Sequence, residues 1–270
     1  MNYNDILKQT LAITEKVASY IKNERNKFSN EVFEIKSHNS FVTHVDKNAE
    51  RILLESLSKI VSNSGFLAEE SGESNKNSEF LWIIDPLDGT TNYIHSLYPV
   101  AISLALMHNN EPVIGVIYEI GLNEVFYASK NDKAYMNNKQ ISVSKIKHVK
   151  DSLLATGFPY YDYDRMEQYM SLMKEFMHVS HGLRRLGSAA TDLAYVACGR
   201  FEGFFEYSLS PWDVAAGAFI IEQAGGKVSD FSGGNNYIYG QEILATNANI
   251  FDELLSYTMK YMSSDEKKII

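Results

Sequence analysis

Two aspartates, Asp85 and Asp88, lie three residues apart in the stretch Trp82 to Tyr93, Trp-Ile-Ile-Asp-Pro-Leu-Asp-Gly-Thr-Thr-Asn-Tyr, where an apolar run ends. Phe80 to Ile84 have the composition of a strand buried on both faces, and Asp85 to Gly89 break that pattern into a turn. A tight turn can aim both carboxylates at one point and add a backbone carbonyl, such as that of Leu87. That donor set suits a hard divalent cation such as magnesium. Gly89 lets its amide approach an anion closely, and a helix starting at Thr90 would offer free N–H groups to a phosphate. An anion cradle beside two acids requires a cation between them. The plain alternative is a loop whose Asp side chains bond their own backbone. A calcium hand is disfavoured, because alternating oxygen ligands closed by a distal Glu are absent.

Other acids stand at the ends of predicted elements. Gly65 to Ala68 reads as a short strand ending in Glu69-Glu70-Ser71-Gly72, and strand ends lying side by side would bring Glu69 to Asp85 and Asp88. Asp46 sits near the start of a helix running through Leu53, Leu54, Leu57 and Val61, as a cap or as part of an active site. Asp213 is the third helical residue after Ser210, with Pro211 first, so its local explanation is helix capping. Glu206 is an isolated acid among Phe204, Phe205 and Tyr207, either an edge-strand surface residue or a group awaiting a hydroxylated ligand. Lys36 could bring positive charge to a phosphate or be an ordinary surface lysine.

The elements that must position these residues follow from periodicity. Ile6 to Arg25 has helical spacing, Val32 to Lys36 alternates like a strand, and Glu73 to Glu79 is a polar loop. Val100 to Met107, Pro112 to Tyr118 and Glu124 to Ala128 form a predicted meander, so the first half reads as helices on an antiparallel sheet. In the second half, strands are expected at Ser152 to Thr156, Phe201 to Tyr207, Lys227 to Ser229 and Ile243 to Thr246. Helices are expected at Met166 to Met177, from Ser188 as cap to a stop at Gly199, over Val214 to Ala224, and at Phe251 to Met262. One domain over 1–270 is predicted, with halves of about 1–150 and 151–270.

The 270 residues are 45% hydrophobic and 22% charged, as in a soluble globular protein, with no membrane-length apolar run and no signal peptide at Met1 to Asp5. A cytoplasmic protein without a membrane role is expected. The net charge of −9 without a basic stripe argues against nucleic acid as a partner. Cys198, the single cysteine, sits in an apolar run and reads as a small core residue.

Taken together, Glu69-Glu70-Ser71, Trp82 to Tyr93, and Trp212-Asp213 through Glu222-Gln223-Ala224-Gly225-Gly226 resemble the inositol monophosphatase family, magnesium-dependent and lithium-sensitive phosphatases. The resemblance implies an α+β fold, a layered αβαβα sandwich of the sugar-phosphatase type, usually a homodimer. It implies metal binding by Glu69, Asp85, the Leu87 carbonyl, Asp88 and Asp213, with two or three Mg2+ ions, Mn2+ as a substitute, and inhibition by Li+ and Ca2+. By the same resemblance Thr90 and Glu69 orient the attacking water, and Asp46 holds Thr90. Gly89 and Thr90 match the phosphate-binding amides, Lys36 corresponds to a lysine near the active-site mouth, and Asp88 is also substrate-binding; Gly187, Ser188, Ala189 and Glu206 serve the alcohol. The loop Tyr160 to Tyr169 has no assigned counterpart.

The expected activity is hydrolysis of a small phosphate monoester, foremost inositol monophosphate, by metal-activated water. NADP(H), fructose 1,6-bisphosphate and 3′-phosphoadenosine nucleotides would present a phosphate to the same metals. Glu206 favours a polyol, because a carboxylate accepts hydroxyl hydrogens and repels a second phosphate. A metal-dependent sugar-phosphate binding module is the non-enzymatic alternative; an intact Glu69 and Thr90 argue against it.

Overall fold

In the computed structural model, residues 2–26, 43–159 and 161–262 are described in full, and residues 34–37 and 40–42 by their backbone. From the N-terminus the elements are α1 (Tyr3–Arg25), β1 (Glu34–Ser37), β2 (Ser40–Val42), α2 (His44–Ile60), β3 (Gly65–Ala68), β4 (Gly72–Ser74), β5 (Phe80–Asp88), α3 (Thr90–Ile94), β6 (Ala101–His108), β7 (Glu111–Glu119), β8 (Glu124–Ser129), β9 (Ala134–Met136) and β10 (Lys139–Gln140). There follow β11 (Leu153–Thr156), α4 (Met166–Val179), β12 (Gly182–Arg184), α5 (Ala189–Ala197), β13 (Gly203–Tyr207), α6 (Pro211–Gln223), β14 (Lys227–Ser229), β15 (Glu242–Thr246) and α7 (Phe251–Met262).

Two sheets form the frame. An eight-stranded sheet has the order β10-β9-β8-β7-β6-β5-β3-β4, and a five-stranded sheet has the order β12-β11-β13-β15-β14. Helices α1 and α2 cover one face of the larger sheet, α5 and α6 lie between the sheets, and α4 and α7 cover the outer face of the smaller one. This is an αβαβα sandwich. Each interface has its own apolar filling: Val17, Ile21 and Leu53 against Trp82 and Ile84; Leu193, Ile220 and Phe219 in the middle; Phe176 and Leu254 with Phe205 and Leu244 outside. A strand covered on both faces reads as a continuous apolar run, which is why Phe80 to Ile84 carries no alternation.

Several expectations are corrected. The larger sheet is mixed, because β3 and β5 pair in parallel, Gly65 opposite Leu81 and Ala68 opposite Ile84. The predicted turn at Asp85 belongs to β5, which continues to Asp88 with a register irregularity against β6. Pro86 has no N–H to donate to a ladder, and a bulge absorbs it. Glu73, expected in a loop, lies in β4. The expected strand from Val32 begins at Glu34 in the described residues, and 32–33 lie outside them.

Candidate active site

The site forms where strand ends and helix starts converge. Because β3 and β5 run parallel, both finish at the same edge, and the Glu69 amide donates to the Ile84 carbonyl at 3.2 Å. Parallel pairing is therefore what brings Glu69 beside Asp85. The Leu87 amide donates to Asp85 Oδ1 at 2.9 Å, which holds the bulge in shape. Gly89 then adopts φ of 91° and caps α3; a Cβ there would also meet the Pro99 and Gly187 carbonyl oxygens at 3.0 and 3.2 Å. Only glycine satisfies both demands.

Asn92 of α3 donates to the Pro99 and Leu186 carbonyls at 2.8 and 2.9 Å, tying the turn to the segment before α5. There Ser188 caps α5 by accepting from the Thr191 amide, and its hydroxyl donates to Asp88 Oδ2 at 2.6 Å. The Ala190 amide donates to the same oxygen at 2.8 Å. On α6, the Ser210 amide donates to Asp213 Oδ2 at 2.7 Å in a capping box, and Ser103 of β6 donates to the Trp212 carbonyl at 3.0 Å. Capping thus aims Asp213 as well as starting its helix.

Asp85, Asp88 and Asp213 offer carboxylate oxygens that lie within 4.8 Å of one another. None carries an ion pair among the described residues. Burial pushes the Asp85 carboxyl well above the usual range, with the charges of Glu69, Asp88 and Asp213 adding to it. Burial does the same for Asp213, reinforced by Asp88 and Glu69 and opposed by the Ser210 amide. Asp88 rises to about 6, burial being countered by the Ser188 hydroxyl, the Ala190 amide and Arg185. Clustered acids, Asp85 buried and Asp88 and Asp213 half-buried, with no basic side chain paired to them fit a hard cation, and the all-oxygen donor set suits one. These three residues could hold a metal ion.

Behind the cluster stands Thr90. Its Oγ1 lies 3.0 Å from Asp46 Oδ1 and 3.1 Å from the Leu87 carbonyl, acceptors that compete for its single proton. Asp46 is buried and also accepts from the Thr43 amide and hydroxyl, so it is at once the capping acid of α2 and the partner of Thr90. Burial raises its pKa against those hydrogen bonds. Capping of α2 and contact with Thr90 therefore coexist in one carboxylate.

One cavity is lined by Glu69, Asp85, Leu87, Asp88, Gly89, Thr90, Gly187, Ser188, Ala189, Glu206 and Asp213. Glu206 lies on β13 between β11 and β15, so it is neither on an edge strand nor on the surface, being 5% exposed. Burial and the charge of Asp213 push its carboxyl well up, with Arg185 opposing. Asp46 does not line the cavity, and the Lys36 side chain lies outside the described residues. Tyr161, from the loop without an assigned counterpart, does line it; Tyr160 lies outside the described residues. Arg185 and Asp192 also line it and were not singled out from the sequence. No local signal marks Asp192, the one charged residue on a mostly apolar helix.

The sequence model described as the inositol monophosphatase family matches residues 3–263. The chain belongs to the inositol monophosphatase family. A Nus factor, SuhB, of Escherichia coli strain K12 is 38% identical over 234 residues, covering 86% of this chain and 88% of the relative. The crystal structure of the extragenic suppressor protein suhB from Bartonella henselae superposes with a TM-score of 0.90 at 35% identity, covering 95% of this chain and 99% of that one. The inositol monophosphatase from Anabaena gives a TM-score of 0.85 at 36% identity, with 97% and 98% covered. Membership agrees with the layered fold and supports phosphatase chemistry with divalent metal use. No described helix is long and apolar enough to cross a membrane.

Proposed function

We propose that this chain is a magnesium-dependent phosphatase of small polyol phosphate monoesters, inositol monophosphate foremost. The observation that carries the reading is the convergence of Asp85, Asp88 and Asp213 within 4.8 Å on a cavity also lined by Thr90 and Glu206. A phosphate monoester repels a nucleophile through its own charge, and Mg2+ at the carboxylates would neutralise that charge and acidify a water. Glu69, Asp85, the Leu87 carbonyl, Asp88 and Asp213 are the groups that would hold it.

In this reading Thr90 donates its hydroxyl proton to Asp46, which leaves Oγ1 lone pairs to accept from the attacking water and frees the Leu87 carbonyl for the cation. Glu69 accepts the other water proton. Gly89 and Thr90 present amides to the phosphate, and Glu206 receives hydroxyl hydrogens of the alcohol. Homodimeric assembly, cytoplasmic residence and sensitivity to Li+ belong to the same proposal.

The test is release of inorganic phosphate from inositol 1-phosphate by purified protein with Mg2+, stopped by a chelator, beside NADP, fructose 1,6-bisphosphate and 3′-phosphoadenosine 5′-phosphate. No release from any ester would refute it, and a preference for the nucleotide or bisphosphate would overturn the polyol assignment. A second reading comes from the E. coli relative's name, Nus factor: this chain would also engage the transcription machinery. Retention of that contact by a catalytically inactive Asp88→Asn protein would separate the roles.

A further inference from the structure

The cavity also holds a carboxylate that the proposed mechanism does not use. Asp192, in the first turn of α5, is 1% exposed and lines the same cavity, and its Oδ1 has no hydrogen-bond partner. A first-turn acid ordinarily serves its helix, but here that work is already done: Ser188 supplies the cap by accepting from the Thr191 amide. No backbone amide donates to the Asp192 side chain among the described residues.

Glu206 lines the same cavity and acts on Asp192 through its charge. The Glu206 carboxylate packs on the backbone of Gly157, where an added Cβ would meet Oε1 at 2.0 Å, and it too receives no hydrogen bond among the described residues. Glu206 adds to the burial that pushes the Asp192 carboxyl well above its usual range, and Arg185 opposes the shift. Arg185, its guanidinium 5.2 Å from the Phe158 ring centre, is the basic residue among those lining the cavity. Its field favours the charged form of both acids. Two buried acceptors without donors lower stability, a cost that a hydroxyl donor bound in the cavity would offset.

We propose that Asp192 is a specificity-determining residue that, with Glu206, accepts hydroxyl hydrogens from the alcohol part of the substrate, so that the site selects monoesters of polyols carrying at least two free hydroxyls. An ionised carboxylate can only accept, so its complement must donate, and neutral hydroxyl groups do so without adding charge. A second phosphate offers acceptors and negative charge, which excludes bisphosphates at this end. The proposal rests on the phosphatase reading above.

The experiment compares wild type, Asp192→Asn and Asp192→Ala with Mg2+ on inositol 1-phosphate, glycerol 2-phosphate, phosphoethanolamine and phenyl phosphate, and records melting temperatures. Loss of a hydrogen bond to a charged acceptor predicts that the ratio of kcat/KM for the polyol esters over phenyl phosphate falls roughly ten- to a hundredfold, carried by KM. The Asp192→Asn protein should melt at or above the wild-type temperature, since the carboxylate has no donor to lose and a buried like charge is removed. An unchanged ratio overturns the proposal. So does a lower melting temperature with equal loss on all esters, which marks a structural role, and so does preference for phosphoethanolamine, which marks a cation site. If wild type releases phosphate from no ester, the phosphatase reading fails, and this assignment with it.

Discussion

Replacing Asp88 by asparagine separates the cluster's cost to stability from its use. Both hydrogen bonds to Asp88, from Ser188 and Ala190, end on Oδ2, so an asparagine carbonyl oxygen in that place keeps them. What is lost is the charge. The Asp88 pKa is raised from 3.8 to about 6, mainly by burial. At 1.36 kcal/mol per pH unit this amounts to roughly 3 kcal/mol. The sign follows from linkage: a carboxyl with a raised folded-state pKa binds its proton more tightly folded than unfolded. Its contribution is full below about pH 4 and is lost as pH rises through about 6. Asp85 and Asp213 shift in the same direction. The ion-free protein should therefore lose stability between about pH 4 and 6, and Mg2+ should restore it at neutral pH, by about 2.7 kcal/mol at a hundred times its Kd. At pH 7.5 in chelator, Asp88→Asn should melt above wild type by roughly 6–12 °C, at about 2–4 °C per kcal/mol. With Mg2+ the wild-type melting temperature should climb, the variant's should stay nearly fixed, and its turnover should vanish. Differential scanning fluorimetry across pH with and without Mg2+ reads all of this. A variant that melts below wild type in chelator, or a wild type indifferent to Mg2+, would refute the reasoning.

Two further outcomes are expected. Thr90→Val leaves Asp46 Oδ1 without its donor and removes the acceptor for water, so kcat should fall about a hundredfold or more with little change in KM, while Thr90→Ser should keep most activity; steady-state kinetics showing equal loss for both variants would contradict the role given to the hydroxyl. Gly157→Ala puts a methyl 2.0 Å from Glu206 Oε1, which should displace that carboxylate, raise KM for a polyol ester at least about tenfold and lower stability by about 1–3 kcal/mol; an unchanged KM would show that Glu206 does not touch substrate.

Helix starts were legible because capping is local. Ser210-Pro211-Trp212-Asp213 begins α6 at Pro211, and Ser188 begins α5 at Ala189, as read from the residue types alone. The β6, β7 and β8 meander was legible because its turns interrupt apolar runs, with strand ends differing by a residue or so. The span of β5 was misread, since Asp-Pro-Leu-Asp-Gly has the composition of a turn and only pairing with β6 keeps Asp88 in the sheet. The side-by-side strand ends expected at Glu69 and Asp85 are present, but the sheet is not antiparallel throughout, because nothing within β3 or β5 states its partner's direction.

The residue types alone determined the donor chemistry: acids beside Gly89 and Thr90 could be read as a cation and phosphate site before any fold was known. Local hydrogen bonding likewise determined which acids begin helices. Tertiary structure decided which acids meet. Asp85 and Asp88 come from a bulged strand and Asp213 from a distant helix, and their oxygens approach within 4.8 Å because α6 lies between two sheets and is pinned through Ser103. It also decided that Glu206 is central rather than at an edge, and that Asp192 faces the cavity. Helical spacing specifies which residues share a face, and only the packing of α5 between the sheets chooses what that face looks upon.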